Sequence, residues 1–364
     1  MINIAAPVID SEERRAVDEV IESGMLAQGP KVAELEESWA KYCGTKHALA
    51  VNSGTAAIHC ALYAAGVKEG DEVITTPYSF IATINPILML GARPVLVDID
   101  EETFNIDVSK IEAAITEKTK AIVPVDLYGQ PCDWAELQEI AKKHNLKIVE
   151  DACQAIGAEY KGIKTGALGD FGCFSLYATK NIMCGEGGIV TTNSDEASAA
   201  IRSFRQHGMV APYEYADLGY NYRMSDLHGA IAVEQLRKVD RFTAQRQRNA
   251  SLLNEALAGV KGIELPRVAD NRSHVYHQYT ILLDEGISRD EFVAKLREKG
   301  VGAGVYYPKP LHAYPHIAKL GYEAGDFPVA EDLAARVVSL PVHPKVTDED
   351  IEIIAAAVKE SING

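Results

Sequence analysis

Between residues 47 and 149 the chain alternates short apolar runs with helical stretches, and this alternation constrains the fold more than any other feature. Residues 47–51, 72–75, 94–97, 121–125 and 147–149 read as strands. Residues 55–65 (closed by Gly66), 79–90 (closed by Gly91), 108–115 and 134–144 read as the helices between them. Strands separated by helices cannot pair as hairpins. They need crossovers, which line them up in a mostly parallel sheet with helices on both faces. Burial on both faces also explains why these strands are apolar runs and not alternating ones.

Two helices precede this region. Asp10 can cap the first, with Glu13 three residues on, apolar Ala16, Val17, Val20 and Ile21, and Gly24 beyond them. The second starts at Pro30 and ends near Gly44. After residue 157 the rhythm degrades into glycine-rich sequence with strand-like pieces at 172–176 and 188–192. A long polar helix over 225–258, with Leu227, Ile231, Leu236 and Val239 at helical spacing, reads as a bridge. Beyond it a strand (276–283), an amphipathic helix (288–299) and a final helix from about Thr347 make an α+β pattern. A length of 364 residues suits a large domain over 1–244 and a smaller one over 245–364.

A formal net charge of −16 opposes general nucleic-acid binding. The six cysteines include no C-x-x-C pair, so zinc-ribbon and thioredoxin readings fail. The first residues, MINIAAPVID, lack a basic and apolar leader, and Asn85, Pro86, Gly91, Arg93 and Pro94 interrupt the most apolar stretch. A cytoplasmic protein with no membrane span is expected. His312 and His316 stand four apart, but Pro315 intervenes and no acidic partner is evident, so no metal site is expected.

Four places could carry chemistry. Asn52-Ser53-Gly54-Thr55 joins a strand to a helix, where free N–H groups, a hydroxyl and a glycine make an anion site; an ordinary helix cap looks the same. Asp151 ends a buried strand, where open α/β sheets bind ligands, and a buried carboxylate there needs a cation such as a protonated pyridine. Its bland alternative is a loop cap. Lys180 follows an apolar strand bearing Ser175 and precedes Gly185-Glu186-Gly187-Gly188, which could leave it mobile; a lone strand-end lysine is usually a surface lysine. Phe80, after another strand end, could stack on an aromatic ring or simply fill the core. The Gly185-x-Gly187-Gly188 pattern is not a dinucleotide fingerprint.

Taken in order, these residues resemble the DegT/DnrJ/EryC1/StrS family of sugar aminotransferases, enzymes of the fold-type I pyridoxal phosphate (PLP) class. The likeness runs from Gly24-Met25-Leu26-Ala27-Gln28-Gly29-Pro30 through Ser53-Gly54-Thr55, Glu150-Asp151-Ala152-Cys153-Gln154 and Ser175…Lys180. It continues through Gly185–Gly188 and Gly219-Tyr220-Asn221-Tyr222-Arg223-Met224 to Tyr307-Pro308-Lys309-Pro310-Leu311-His312. The resemblance implies a seven-stranded, mostly parallel sheet in the large domain. It implies that Lys180 holds PLP as a Schiff base, Asp151 pairs with the ring nitrogen, and Phe80 stacks on the ring. Gln154 would sit near the ring hydroxyl, and Gly54, Thr55 and Ser175 would hold the phosphate. Asn221 matches a position that reaches the phosphate of a neighbouring subunit, implying a homodimer with shared sites. Met25, Arg223, Tyr307, Lys309 and His312 would face a nucleotide-linked keto-sugar. L-glutamate would donate the amine and leave as 2-oxoglutarate in a ping-pong cycle, aminating C3 or C4. Lysine at 180 favours transamination over the family's sugar dehydratases, which carry histidine there. A PLP-binding regulator without turnover is the other reading, opposed by the acidic charge.

Overall fold

The computed structural model describes residues 1–363. Its centre is a seven-stranded sheet of β1 (His47–Val51), β2 (Glu72–Thr75), β3 (Arg93–Leu96), β4 (Thr119–Val123), β5 (Lys147–Asp151), β6 (Phe171–Ser175) and β7 (Gly188–Thr192). The order across the sheet is β1-β7-β6-β5-β4-β2-β3. β3, β2, β4, β5 and β6 pair in parallel, while β7 runs antiparallel to both β1 and β6. The reversal of β7 has a local cause: no helix intervenes after β6, so the chain turns back as a wide hairpin with Ser175 opposite Gly188.

The helices are α1 (Ser11–Ser23), α2 (Pro30–Cys43), α3 (Gly54–Ala64), α4 (Asn85–Met89), α5 (Trp134–His144), α6 (Asp195–Phe204), α7 (Asp226–Leu236), α8 (Val239–Leu257), α9 (Arg289–Glu298), α10 (Pro315–Ala318), α11 (Pro328–Arg336) and α12 (Asp348–Asn363). The Asp10–Glu13 capping box forms as expected, Asp10 N–H donating to Glu13 Oε2 at 2.8 Å. Three expected helices change. The stretch 79–90 is a 3₁₀ turn (Ile81–Thr83) followed by the short α4, because Pro86 lacks an N–H and restricts Asn85 before it. Residues 108–115 form two 3₁₀ turns, at Val108–Lys110 and Glu112–Ala114. The long helix over 225–258 breaks between α7 and α8 at Arg237 and Lys238. Both cations there turn toward acids on other helices: Lys238 Nζ lies 2.7 Å from Glu13, and Arg237 Nη2 2.8 Å from Glu34.

A second, three-stranded sheet orders β8 (Ile263–Glu264), β9 (Tyr279–Leu283) and β10 (Val337–Leu340) with β9 in the middle. Its core takes Leu253 and Leu257 from α8, Phe292 and Leu296 from α9, and Ile354 and Val358 from α12. The start of α8 belongs elsewhere, since Val239 and Phe242 pack into the core beneath the large sheet. Strand order reverses at β2 and β4, and the loops after β2, β4, β5 and β6 converge at the carboxyl ends of their strands. Open α/β sheets bind ligands at such a crevice.

Candidate active site

β5 runs two residues further than its apolar stretch suggests and ends on Asp151. Glu150 stays in the strand because its carboxyl accepts from Gly166 N–H at 2.7 Å and faces the equally buried Asp126. Burial pushes both carboxyls up, Asp126 to about 7, so the pair holds a proton where exposed acids would have lost theirs. Asp151 is 4% exposed. Its Oδ2 accepts from Thr83 Oγ1 at 2.8 Å and its Oδ1 from Cys153 N–H at 3.2 Å. No ion pair neutralises it among the described residues. An acceptor-only, buried carboxylate without a resident cation suits a cationic ligand group.

Lys180 stands in the wide turn from β6 to β7, half-buried, and its amine feels the charge of Asp151. Burial lowers the Lys180 pKa, while Cys153 and Asp151 oppose the shift. A desolvated amine more easily reaches the neutral form that attacks a carbonyl. The expectation of mobility is corrected here. Leu176 N–H bonds Gly187 O at 2.8 Å, Ala178 N–H bonds Gly185 O at 3.0 Å and Lys180 N–H bonds Tyr177 O at 2.9 Å, so the segment is knitted to itself. The glycines serve close packing: a Cβ on Gly188 would lie 2.2 Å from Ser53 O, and one on Gly187 would lie 2.7 Å from Cys184 Sγ.

That packing seats β1 against β7 and α3 against β6. Ser53 caps α3 by accepting from Ala56 N–H at 3.1 Å. A Cβ on Gly54 would meet Ser175 Cβ at 2.8 Å, so Gly54, Thr55 and Ser175 gather at the helix N-terminus, where N–H groups favour an anion. On the other side of Asp151, Gln154 accepts through Oε1 from Tyr128 N–H at 3.0 Å. That bond orients the amide, leaving Nε2 to donate to Tyr307 Oη at 3.1 Å. Tyr307 arrives from the chain beyond α9. Its N–H donates to Tyr78 Oη at 2.9 Å, and its ring centroid lies 6.2 Å from that of Phe80. Phe80 is 57% exposed, leaving its face free to stack.

Lys180, Asp151, Gln154, Tyr307, Phe80 and the Gly54–Thr55–Ser175 cradle therefore form one linked site. Other expected contacts stand apart. Met25 is exposed, and Lys309 lies over the Tyr314 ring at 4.2 Å. Arg223 forms a backbone bridge with Val51, and exposed Asn221 accepts through its backbone O from Asn52 Nδ2 at 3.2 Å. His312 is buried against Glu331, its Nε2 2.9 Å from Oε1. That is the acidic partner the local sequence did not offer, supplied by α11. Ser79, Thr83, Tyr78 and Tyr128 escaped sequence reasoning. A T/S-rich stretch behind one strand end and the Tyr128-Gly129 pair behind another were the available signals; in the structure that pair is in left-handed backbone (φ 57° and 106°).

A buried carboxylate without an ion pair, a desolvated lysine, an exposed aromatic face and a helix N-terminus at the carboxyl edge of such a sheet match the needs of a fold-type I PLP enzyme. The chain matches the DegT/DnrJ/EryC1/StrS aminotransferase family over residues 7–359 and belongs to it. Enzymes of this family are PLP-dependent, and solved relatives include PLP and pyridoxamine phosphate forms. The chain is 44% identical over 354 residues to a pleiotropic regulatory protein of Geobacillus stearothermophilus, covering 96% of this chain and 94% of that one. It is 41% identical over 365 residues to GDP-perosamine synthase of Caulobacter vibrioides, covering 99% and 98%. The crystal structure of S. venezuelae DesV with a ketimine intermediate superposes with a TM-score of 0.93 at 35% identity, covering 98% of each chain. The chain is thus a PLP-dependent sugar aminotransferase, and no helix among its described residues is long and apolar enough to cross a membrane.

Proposed function

We propose that this protein moves an amino group from L-glutamate to the C3 or C4 keto group of a nucleotide-linked hexose, in a ping-pong cycle run in the cytoplasm. The observation that carries the reading is Lys180 set near a buried Asp151 that forms no ion pair among the described residues. When bound, PLP supplies an electron sink that makes the donor's α-proton acidic. Asp151 would pair with the ring nitrogen and keep it protonated. At about 3–4 Å and an effective dielectric near 20, that attraction is of order 4 kcal/mol before desolvation. The Lys180 amine would take the donor's α-proton as general base and give a proton back as general acid. Gly54, Thr55 and Ser175 would hold the phosphate, Gln154 would offer an N–H to the ring hydroxyl, and Phe80 would stack on the ring. Lys180 and Asp151 are the catalytic residues.

The active unit in this reading is a homodimer with shared sites. The segment leading to Asn221 supports it: Val210, Tyr213, Tyr215 and Leu218 stand 58–87% exposed on one short excursion, a hydrophobic surface suited to a second copy of the chain. Met25, Arg223, Tyr307, Lys309 and His312 are proposed to lie toward the sugar nucleotide, Tyr307 innermost. The division into domains at 244/245 falls inside α8, where its packing changes from one core to the other.

The test is optical. The yellow PLP-loaded protein should bleach with L-glutamate and recover with 2-oxoglutarate, and the bleached form should recover on one of a panel of UDP-, GDP- and dTDP-linked keto-sugars. A colour indifferent to every amino donor overturns the reading.

A further inference from the structure

We propose that Thr83, backed by Ser79, is a positioning residue for Asp151, completing a buried one-way hydrogen-bond chain that fixes the carboxylate as an acceptor for the cofactor's ring nitrogen. The inference rests on the reading of Asp151 above and adds the residues that hold it.

Ser79 Oγ lies 2.8 Å from Thr83 Oγ1, which lies 2.8 Å from Asp151 Oδ2. The three residues are 2%, 1% and 4% exposed. Direction follows from chemistry. An ionised carboxylate only accepts, so the single Thr83 proton goes to Asp151, and Ser79 must give its own proton to Thr83. Cys153 N–H occupies the other carboxylate oxygen at 3.2 Å. With one donor fixed on each oxygen, the carboxylate cannot rotate without breaking a charge-assisted bond, and a lone pair on each oxygen remains for a ligand.

The same short turn serves the ring twice. Thr83 N–H bonds Phe80 O at 3.0 Å, so the aromatic lid and the hydroxyl behind the carboxylate are locked one 3₁₀ turn apart. Lys180, Cys153, Cys173 and Tyr307 are the other titratable groups whose electrostatics involve Asp151, and among the described residues Thr83 supplies the only hydroxyl bonded to Oδ2. Without Thr83, the ring proton passes more readily to Asp151. The ring then loses its positive charge and becomes a weaker electron sink.

The test compares PLP-loaded wild type, Thr83→Val, Thr83→Ser and Ser79→Ala. A positively charged ring lowers the pKa of the lysine–cofactor chromophore, so Thr83→Val should raise the midpoint of its absorbance titration by about one unit. The glutamate half-reaction should slow by about tenfold while KM stays within about twofold. Thr83→Ser should restore both values, and Ser79→Ala should move them the same way by less. A role in packing alone would lower the melting temperature and cofactor affinity and leave the midpoint in place; that result overturns the proposal. If Thr83→Val does not fold, an unchanged midpoint in Ser79→Ala overturns it equally. A wild-type protein with no Lys180-dependent chromophore would overturn the underlying site assignment as well, which separates the two failures.

Discussion

Asp151, Thr83 and Ser79 are buried and matched donor to acceptor, whereas Phe80 and Tyr177, from the turns that carry Thr83 and Lys180, stand 57% and 47% exposed. Both regions belong to the same crevice, yet only the first is finished by a single chain. The finished end is where charge must be held still during proton transfer, which rewards a dry and preorganised setting. In the proposed function the open end admits a bulky sugar nucleotide and, in the proposed dimer, the Asn221 segment of a second copy. In the proposed reading the chemistry sits on strand ends and tight turns, and selectivity is left to exposed side chains that can change without disturbing the sheet.

If that contrast is right, changes at the finished end should be severe and should act on kcat. Lys180→Ala should cost at least about 10²–10⁴-fold in turnover, and retained multiple turnover in a steady-state assay would break the assignment. Asp151→Asn should follow at about 10²–10³-fold, by loss of roughly 4 kcal/mol of ion pairing; half-reaction rates with an unchanged KM would sharpen the contrast. The shared edge should respond less. Asn221→Ala should weaken cofactor retention, and mixing it with Lys180→Ala subunits should change activity per site. Additive activity across all mixing ratios would leave each chain with a self-contained site. At the open end Lys309→Ala should leave kcat within about twofold, because an exposed cation is weakly held, and move KM for the sugar at most a few-fold.

The last prediction concerns stability beneath the finished end. Asp126 has its folded pKa raised from 3.8 to about 7 by burial beside Glu150. A raised folded value means that the folded state keeps a proton the unfolded chain releases. Stability from this pair is therefore fully present below the unfolded value and is lost as pH rises through the folded one. Melting temperature should fall between about pH 4 and about pH 7, and Asp126→Asn, which stays neutral and can still donate to Glu150, should flatten that slope. A slope identical to wild type would remove the pair from the account.

Lys180 shows how much was legible and why. Its place after an apolar strand, with Ser175 upstream and glycines downstream, is written in the sequence, as is Asp151 after its buried run. The reason for the glycines is not. They read as licence for movement, yet Gly187 and Gly188 are required by side chains and backbone brought close from distant parts of the chain. Thr83 was invisible for a related reason. The pattern of 79–90 fits an α-helix until Pro86 is weighed against it, and only the tertiary structure shows that the resulting 3₁₀ turn aims a hydroxyl at Asp151.

By itself the sequence determined the alternating sheet, its parallel sense, the capped first helix and the residue types needed to hold a phosphate, a ring nitrogen and a carbonyl. Those depend on periodicity and local caps, which act over a few residues. Tertiary structure decided the reversal of β7, the break between α7 and α8, the Glu331 partner of His312 and the Ser79–Thr83–Asp151 chain. Each of these pairs groups that are separated in sequence, or resolves a local choice through burial, and hydrogen bonding under burial has no one-dimensional signature.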